Sequence, residues 1–357
     1  MPEFTLVDEP NSLTSELSSG DRLGIDTEFM REKTYFAELC LMQLATGGRI
    51  YCVDPLAGSD MAGFWEAALG TPWVLHSGRQ DIEVVYQTAG RLPEAVFDTQ
   101  VAAGLLGHPP QMGYASLVKA LFGVDIDKSH TRADWSRRPL SPAYLQYAAE
   151  DVEYLLPAFA ELARALEDKG RLAWAEEDSA QLLNPALYDV DPATAVDRLK
   201  AARNLRGKHR AAAARLATWR ENEALRANRP RQWIARDAAL MELAAKLPGN
   251  VAELAKIDGL PAGLVRRSGQ TLIQLIADAL ANGSEYSPPR APDDVRRGLL
   301  KAMQKRVTRR AEELGIAAET IASRKELAAL ISSPEASSRL LEGWRRDLIG
   351  TELLSLL

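Results

Sequence analysis

Cysteine is almost missing from the chain: Cys40 and Cys52 are the only two in 357 residues. Two thiols cannot staple a fold of this size, and they offer no zinc spacing. No apolar run approaches the length of a membrane-spanning helix, and the opening MPEFTLVDEP lacks the basic and apolar regions of a secretion signal. A cytoplasmic protein with no membrane association is therefore expected. There is also no heptad run, low-complexity tract or fixed-period repeat. What is present is 46% hydrophobic and 26% charged residues, the balance of a globular chain and not a disordered one. The length is comfortable for two or three domains.

The net charge of −6 conceals a split. Residues 1–189 carry 14 Lys and Arg against 29 Asp and Glu, a net of −15, whereas residues 190–357 carry 29 against 20, a net of +9. An acidic front joined to a basic back predicts a division of labour, with polyanion contact assigned to the back.

Leu23–Phe29, Ala37–Ala45 and Arg49–Asp54 read as strands whose short connections, the second carrying Gly47-Gly48, make them antiparallel neighbours. Helix and strand signals then alternate through Met61–Leu69, Trp73–His76, Asp81–Thr88, Ala95–Asp98 and Thr99–Leu106. This predicts a mixed sheet with helices on its faces. From Ser141-Pro142, an N-cap followed by proline at the first helical position, strand signals cease. Asn184–Pro192 and Asn282–Asp293 read as linkers, and residues from about 194 to 280 are helical by pattern.

The chemistry concentrates in acids. Asp26 and Glu28, two apart on a strand, project to one face about 7 Å apart. Asp98 ends a later strand, and Tyr147 and Asp151 share one helix face at i and i+4. Singly, each has an ordinary structural reading: Asp98 as a helix N-cap, Asp151 as a solvated helix residue, Tyr147 as core. Together, beside apolar strand residues, they need a cation to relieve their repulsion, and an all-oxygen set suits Mg²⁺ or Mn²⁺ and not zinc.

These residues resemble the three exonuclease motifs of the DEDD superfamily in its tyrosine subclass, and within it the ribonuclease D family. The resemblance runs through Asp26-Thr27-Glu28-Phe29, Leu41-Met42-Gln43-Leu44, Val53-Asp54-Pro55-Leu56, Phe97-Asp98-Thr99, Asp127-Lys128-Ser129, Asp134-Trp135, Arg138-Pro139-Leu140 and Tyr147-Ala148-Ala149-Glu150-Asp151. It implies an α/β ribonuclease H-like mixed-sheet exonuclease domain over residues 1–170. It also implies a metal-dependent 3′→5′ exoribonuclease that releases 5′-mononucleotides with two divalent ions per site. Carried over by position, Asp26, Glu28, Asp98 and Asp151 would hold the metals, and Tyr147 would orient the attacking water. Phe29, His76, Lys128 and Arg132 are candidate substrate contacts, each with an equally ordinary reading as core or solvated loop.

After a helical linker at 171–193, Trp219-Arg220-Glu221, Arg229-Pro230-Arg231 and Ile234-Ala235-Arg236-Asp237 resemble the HRDC module, a small helical bundle, across residues 194–280. A further linker at 281–292 would lead to a second, divergent HRDC-like all-α domain at 293–357. The expected partner is RNA with a free 3′ end, tRNA precursors by family analogy, with no obligate protein partner. A DNA exonuclease of the same superfamily and an inactive RNA-binding module are the competing readings.

Overall fold

The structure is a computed structural model that describes residues 2–126, 133–283, 294–335 and 338–357. It divides into two compact units: unit 1 comprises Met1–Met30, Glu38–Tyr188 and Pro292–Leu357, and unit 2 comprises Arg31–Ala37 and Asp189–Ala291.

Unit 1 is built on a six-stranded mixed sheet. Its first strands and helices are β1 (Thr5–Val7), α1 (Thr14–Ser19), β2 (Leu23–Met30), β3 (Glu38–Thr46), β4 (Arg49–Val53), α2 (Ala62–Leu69) and β5 (Trp73–Leu75). They are followed by α3 (Arg79–Ala89), β6 (Val96–Asp98), α4 (Thr99–Leu106) and α5 (Tyr114–Phe122). The spatial order is β1-β4-β3-β2-β5-β6. As expected, β2, β3 and β4 form an antiparallel meander, and β5 and β6 add in parallel beyond β2. Gly47 and Gly48 both take positive φ, the backbone that a two-residue hairpin needs. β1, only three residues long, pairs in parallel with β4 and carries no sequence signal strong enough to announce it. Cys40 and Cys52 are free and buried, as small hydrophobes should be.

Three helices close this part: α6 (Pro142–Glu153), α7 (Leu155–Asp168) and α8 (Leu172–Ala180). α6 starts where predicted, with the Ser141 hydroxyl accepting from Tyr144 N at 3.2 Å and Pro142 in the first turn. The chain entering it is fixed by Arg138, whose guanidinium makes a bidentate pair with Asp54 at 2.6 Å on each arm and donates to Cys40 O at 2.7 Å. Bidentate pairs of this kind set orientation as well as position. The meander edge thereby sets where α6 presents its side chains.

Unit 2 is helical: α9 (Gly207–Ala227), α10 (Arg231–Ile234), α11 (Asp237–Lys246), α12 (Val251–Leu254) and α13 (Ala262–Asn282). Leu216, Leu240, Leu243, Leu254, Leu272 and Ile276 form its core. The helical stretch expected from about 194 opens as two 3-10 helices, Pro192–Arg198 and Lys200–Asn204, before α9. Several arginines counted towards the basic surface are internal. Arg210 is 4% exposed on Asp197 and Ala202 O, and Arg220 is 3% exposed on Asp237 and Ala235 O. Arg198 pairs with the buried Glu221.

The last stretch returns to unit 1 as α14 (Asp294–Leu314), α15 (Ala318–Ile321), α16 (Arg324–Ser332), α17 (Gly343–Arg345) and α18 (Thr351–Leu354). This corrects one expectation. Residues 293–357 are not a separate domain: Met303, Val307, Ile321, Leu330, Trp344 and Leu353 share one core with Phe97, Leu105, Leu162 and Ala175. Within the stretch expected as a helical linker, 171–193, α8 packs into that core through Ala175. Trp344 stacks on Trp174 at 4.5 Å, and Arg345, 2% exposed, pairs with Asp178 of α8. Arg171 donates at 2.8 Å to the final carbonyls of both α4 (Leu105) and α14 (Leu314). Local pattern marks such residues as solvated charge; only the tertiary fold turns them inward. Among the described residues no helix is long and apolar enough to cross a membrane.

Candidate active site

β2 is buried through Ile25; beyond it Asp26 and Glu28 are partly open and Thr27 between them stays buried. Pairing with β3 holds it straight as far as Glu28, where a register shift separates Glu28 from Phe29. Asp26 and Glu28 therefore leave the same face at the open end of the sheet. On α6, Tyr147 and Asp151 lie one helical turn apart, and the Tyr147 hydroxyl hydrogen-bonds the Asp151 carboxylate. Carboxylate oxygens of Asp26, Glu28 and Asp151 come within 4.8 Å of one another. They line a cleft of about 300 Å³ together with Phe29, His76, Asp81 and Tyr147, and no lysine or arginine among the described residues lines it.

The fourth acid of this cleft is Asp81, not Asp98. Asp81 lies in the first turn of α3, buried, with Oδ1 accepting from Thr27 N at 3.2 Å and from Thr27 Oγ1 at 2.5 Å. Thr27 is the residue between the two acids of β2, so these bonds bring α3 onto that strand. Asp98 is nearby but spent. Its oxygens accept from Gln100 N (2.8 Å) and Val101 N (3.4 Å) as the N-cap of α4, and from Ser77 N and Gly78 N (3.0 Å each) in the turn before α3. Ser77 adopts φ 58°, and a Cβ on Gly78 would meet Leu75 at 2.7 Å, so this turn is shaped to wrap Asp98. These four backbone N–H groups commit Asp98 to the two turns around it, and it does not line the cleft in which Asp26, Glu28, Asp81 and Asp151 meet. The expectation that Asp98 holds metal is thereby corrected to a structural role, the anchoring of the turn that delivers Asp81. The sequence signal for Asp81 is the Ser77-Gly78 turn three residues ahead of it.

His76 lines the cleft with both ring nitrogens engaged, Nδ1 with Thr99 Oγ1 at 2.9 Å and Nε2 with Met112 O at 2.8 Å. Burial lowers its pKa against the opposing pulls of Asp98 and of the bond to Met112 O. Phe29 sits at the cleft rim. Lys128 and Arg132 lie outside the described residues.

Without a cation the four acids all give up their protons at higher pH than ordinary carboxylates do. Burial, then Asp81, Asp151 and Glu28, push Asp26 well above the carboxylate range. Burial and the same kind of repulsion raise Glu28 to about 8, Asp151 to about 7 and Asp81 to about 6. Burial and these charges also raise the Tyr147 phenol, which suits a hydrogen-bond donor and positioner and not a base. Acids whose folded pKa lies above the unfolded value stabilise the fold below about pH 4 and lose that contribution as pH rises towards about 8. A divalent cation reverses the loss by neutralising the ionised cluster. Millimolar Mg²⁺ should therefore raise the melting temperature little at pH 5.5 and by several degrees at pH 8.5, read by thermal unfolding against EDTA. Equal shifts at the two pH values would mean that Mg²⁺ binds elsewhere. The donor set fits such an ion: hard oxygens only, clustered, with no cationic side chain among the described residues answering them.

Acids clustered at the open edge of a mixed sheet, with a tyrosine on the helix that closes it, define a DEDD-type 3′→5′ exonuclease. Residues 3–167 match the 3′-5′ exonuclease family and residues 209–276 the HRDC domain family. Over its whole length the chain is 40% identical to ribonuclease D of Acidiphilium cryptum, the alignment covering 99% of this chain and 93% of that protein. It is 37% identical to ribonuclease D of Pseudomonas paraeruginosa, covering 100% and 98%. The crystal structure of Escherichia coli RNase D, described as an exoribonuclease involved in structured RNA processing, superposes with a TM-score of 0.89 at 30% identity, covering 99% of this chain and 98% of that one. The catalytic core of RRP6 from Trypanosoma brucei shares the fold at 23% identity and a TM-score of 0.61, covering 79% of this chain and 80% of that one. The chain belongs to the ribonuclease D family. It is a metal-dependent 3′→5′ exoribonuclease.

Proposed function

We propose that this enzyme removes 5′-mononucleotides one at a time from the 3′ ends of structured RNAs, tRNA precursors among them, with two Mg²⁺ or Mn²⁺ ions per site. The observation that carries this reading is the meeting of Asp26, Glu28 and Asp151 within 4.8 Å, with Tyr147 on Asp151 and Asp81 on Thr27. Asp26, Glu28, Asp81 and Asp151 would hold the ions. When bound, the ions supply a water-derived nucleophile at neutral pH and offset charge on the departing 3′-oxygen. Tyr147 keeps its proton, donating it in the hydrogen bond to Asp151, and its hydroxyl oxygen would accept from the attacking water and hold it in line, while Phe29 offers an apolar surface to the terminal base.

Substrate capture falls to the basic helical region, assigned to residues 194–280. Lys200, Arg203, Arg206 and Lys208 remain exposed there once the internal arginines are set aside. Trp233 is 60% exposed between Arg229 and Arg236, which are exposed as well. Cations beside an exposed indole suit single-stranded RNA, whose phosphates and bases they meet separately. The test incubates a 5′-labelled tRNA precursor bearing a 3′ tail with Mg²⁺, Mn²⁺ or EDTA. The expected result is stepwise shortening to the acceptor stem with release of 5′-monophosphates and none in EDTA. Trp233→Ala should raise KM several-fold at unchanged kcat. Internal cleavage products, or equal rates on matched DNA, would count against the reading.

A further inference from the structure

Gln43 is fully buried at the centre of β3, and among the described residues neither its amide nitrogen nor its amide oxygen has a hydrogen-bond partner. Its neighbours Leu41, Met42 and Leu44 are fully buried apolar residues. In register Gln43 stands directly opposite Asp26 on β2 and opposite Cys52 on β4. Opposed residues of antiparallel strands project to one face, with Cβ atoms about 4.5–5.5 Å apart. Cys52 Sγ approaches Leu145 O of α6 at 3.9 Å, so this face is the one that α6 covers. The Gln43 amide is thus enclosed between the sheet and α6, beside the root of Asp26 and beneath the helix that carries Tyr147 and Asp151.

An unpaired buried amide costs stability, and an apolar side chain of similar size in its place is neutral or stabilising. Folding therefore gives no reason for glutamine at this point of an otherwise apolar strand. Chemistry does: an amide brings two N–H donors to a spot where the adjacent carboxylate is surrounded by other acids and, among the described residues, by no cationic side chain.

We propose that Gln43 is a positioning residue for phosphodiester hydrolysis: its amide, unpaired in this structure, would turn an N–H to the inner side of the Asp26 carboxylate once that carboxylate is ionised, fixing its rotation and leaving the outer lone pairs to a divalent cation. The proposal rests on the reading of Asp26 as a metal ligand. Groups that orient a metal-binding carboxylate typically change metal affinity or turnover by about 10–100-fold. Gln43→Met should accordingly lower kcat by about 10-fold or more and raise the Mg²⁺ concentration for half-maximal rate. It should leave KM for RNA unchanged and hold or raise the melting temperature. Gln43→Leu, with a different shape, should behave alike.

Either variant with wild-type kcat and Mg²⁺ dependence overturns the proposal. A fall in melting temperature in both, with the Mg²⁺ dependence unmoved, assigns Gln43 to packing and overturns it equally. Adding Gln43→Met to Asp26→Asn should change nothing further, since two residues acting through one interaction are not additive. Full activity in Asp26→Asn alone would instead remove the underlying reading of the ligand.

Discussion

Asp26→Asn should abolish nucleotide release, by at least about a thousandfold or about 4 kcal/mol of transition-state stabilisation, while leaving the fold intact. Asp26 is the acid on which Asp81, Asp151 and Glu28 all press. It is also the one that reaches the other cluster members from the middle of β2. Asparagine keeps the shape and removes the charge, so the backbone geometry survives and the cation loses its central partner. The metal-free variant should melt at a higher temperature than the wild type at pH 8.5, because a source of repulsion is gone. Gaining stability at the expense of turnover is the usual signature of a strained functional group. Single-turnover decay of end-labelled RNA and thermal unfolding, run on the same preparation, read both effects. Measurable trimming at a tenth of the wild-type rate would remove Asp26 from the machinery.

Asp81→Asn and Asp98→Asn should show opposite phenotypes. The amide oxygen introduced at position 81 can still accept from Thr27 N and Oγ1, so α3 stays docked on β2 while the cleft loses a charge. Activity should fall by at least about a hundredfold with no loss of melting temperature. The same change at position 98 keeps one oxygen for Gln100, Val101 and Ser77 but turns an N–H₂ group towards Gly78 N, which donates to Oδ2 in the native protein. Two facing donors in a buried setting cost about 1–3 kcal/mol. Asp98→Asn should thus melt earlier yet trim RNA within about tenfold of wild type at a permissive temperature. A dead but stable Asp98→Asn, with an active Asp81→Asn, would reinstate Asp98 as a ligand.

That exchange of two aspartates shows what is and is not legible in the sequence. The meander, the crossover units and α6 with its Ser141 cap follow from local pattern, and so do Asp26, Glu28, Tyr147 and Asp151. Their side-chain directions are set by strand and helix periods alone. Asp98 ends an apolar strand and so reads as a site acid, but the same position before a helix is where an N-cap belongs, and capping prevails. Asp81 sits among charged residues in a first helical turn and looks solvated. Only the placement of β5 beside β2, a fact of strand order, carries the turn after β5 to the same sheet edge. The tail defeats local pattern for a similar reason: Arg345 and Trp344 look like surface residues until Asp178 and Trp174, from far earlier in the chain, arrive to meet them.

The Trp344 and Arg345 contacts carry a consequence for biosynthesis. Ser179 Oγ, on α8, accepts from Asp98 N at 3.0 Å, and α8 is itself held by Arg345, 167 positions beyond Asp178. The layer beneath the catalytic edge is therefore completed by residues that leave the ribosome long after the sheet they support. Vectorial synthesis delivers the nuclease sheet first and its clasp later, with residues Asp189–Ala291 of unit 2 translated between them. In a chain made in this order, the packing of α8 beneath the sheet is complete only after Trp344 and Arg345 have been added.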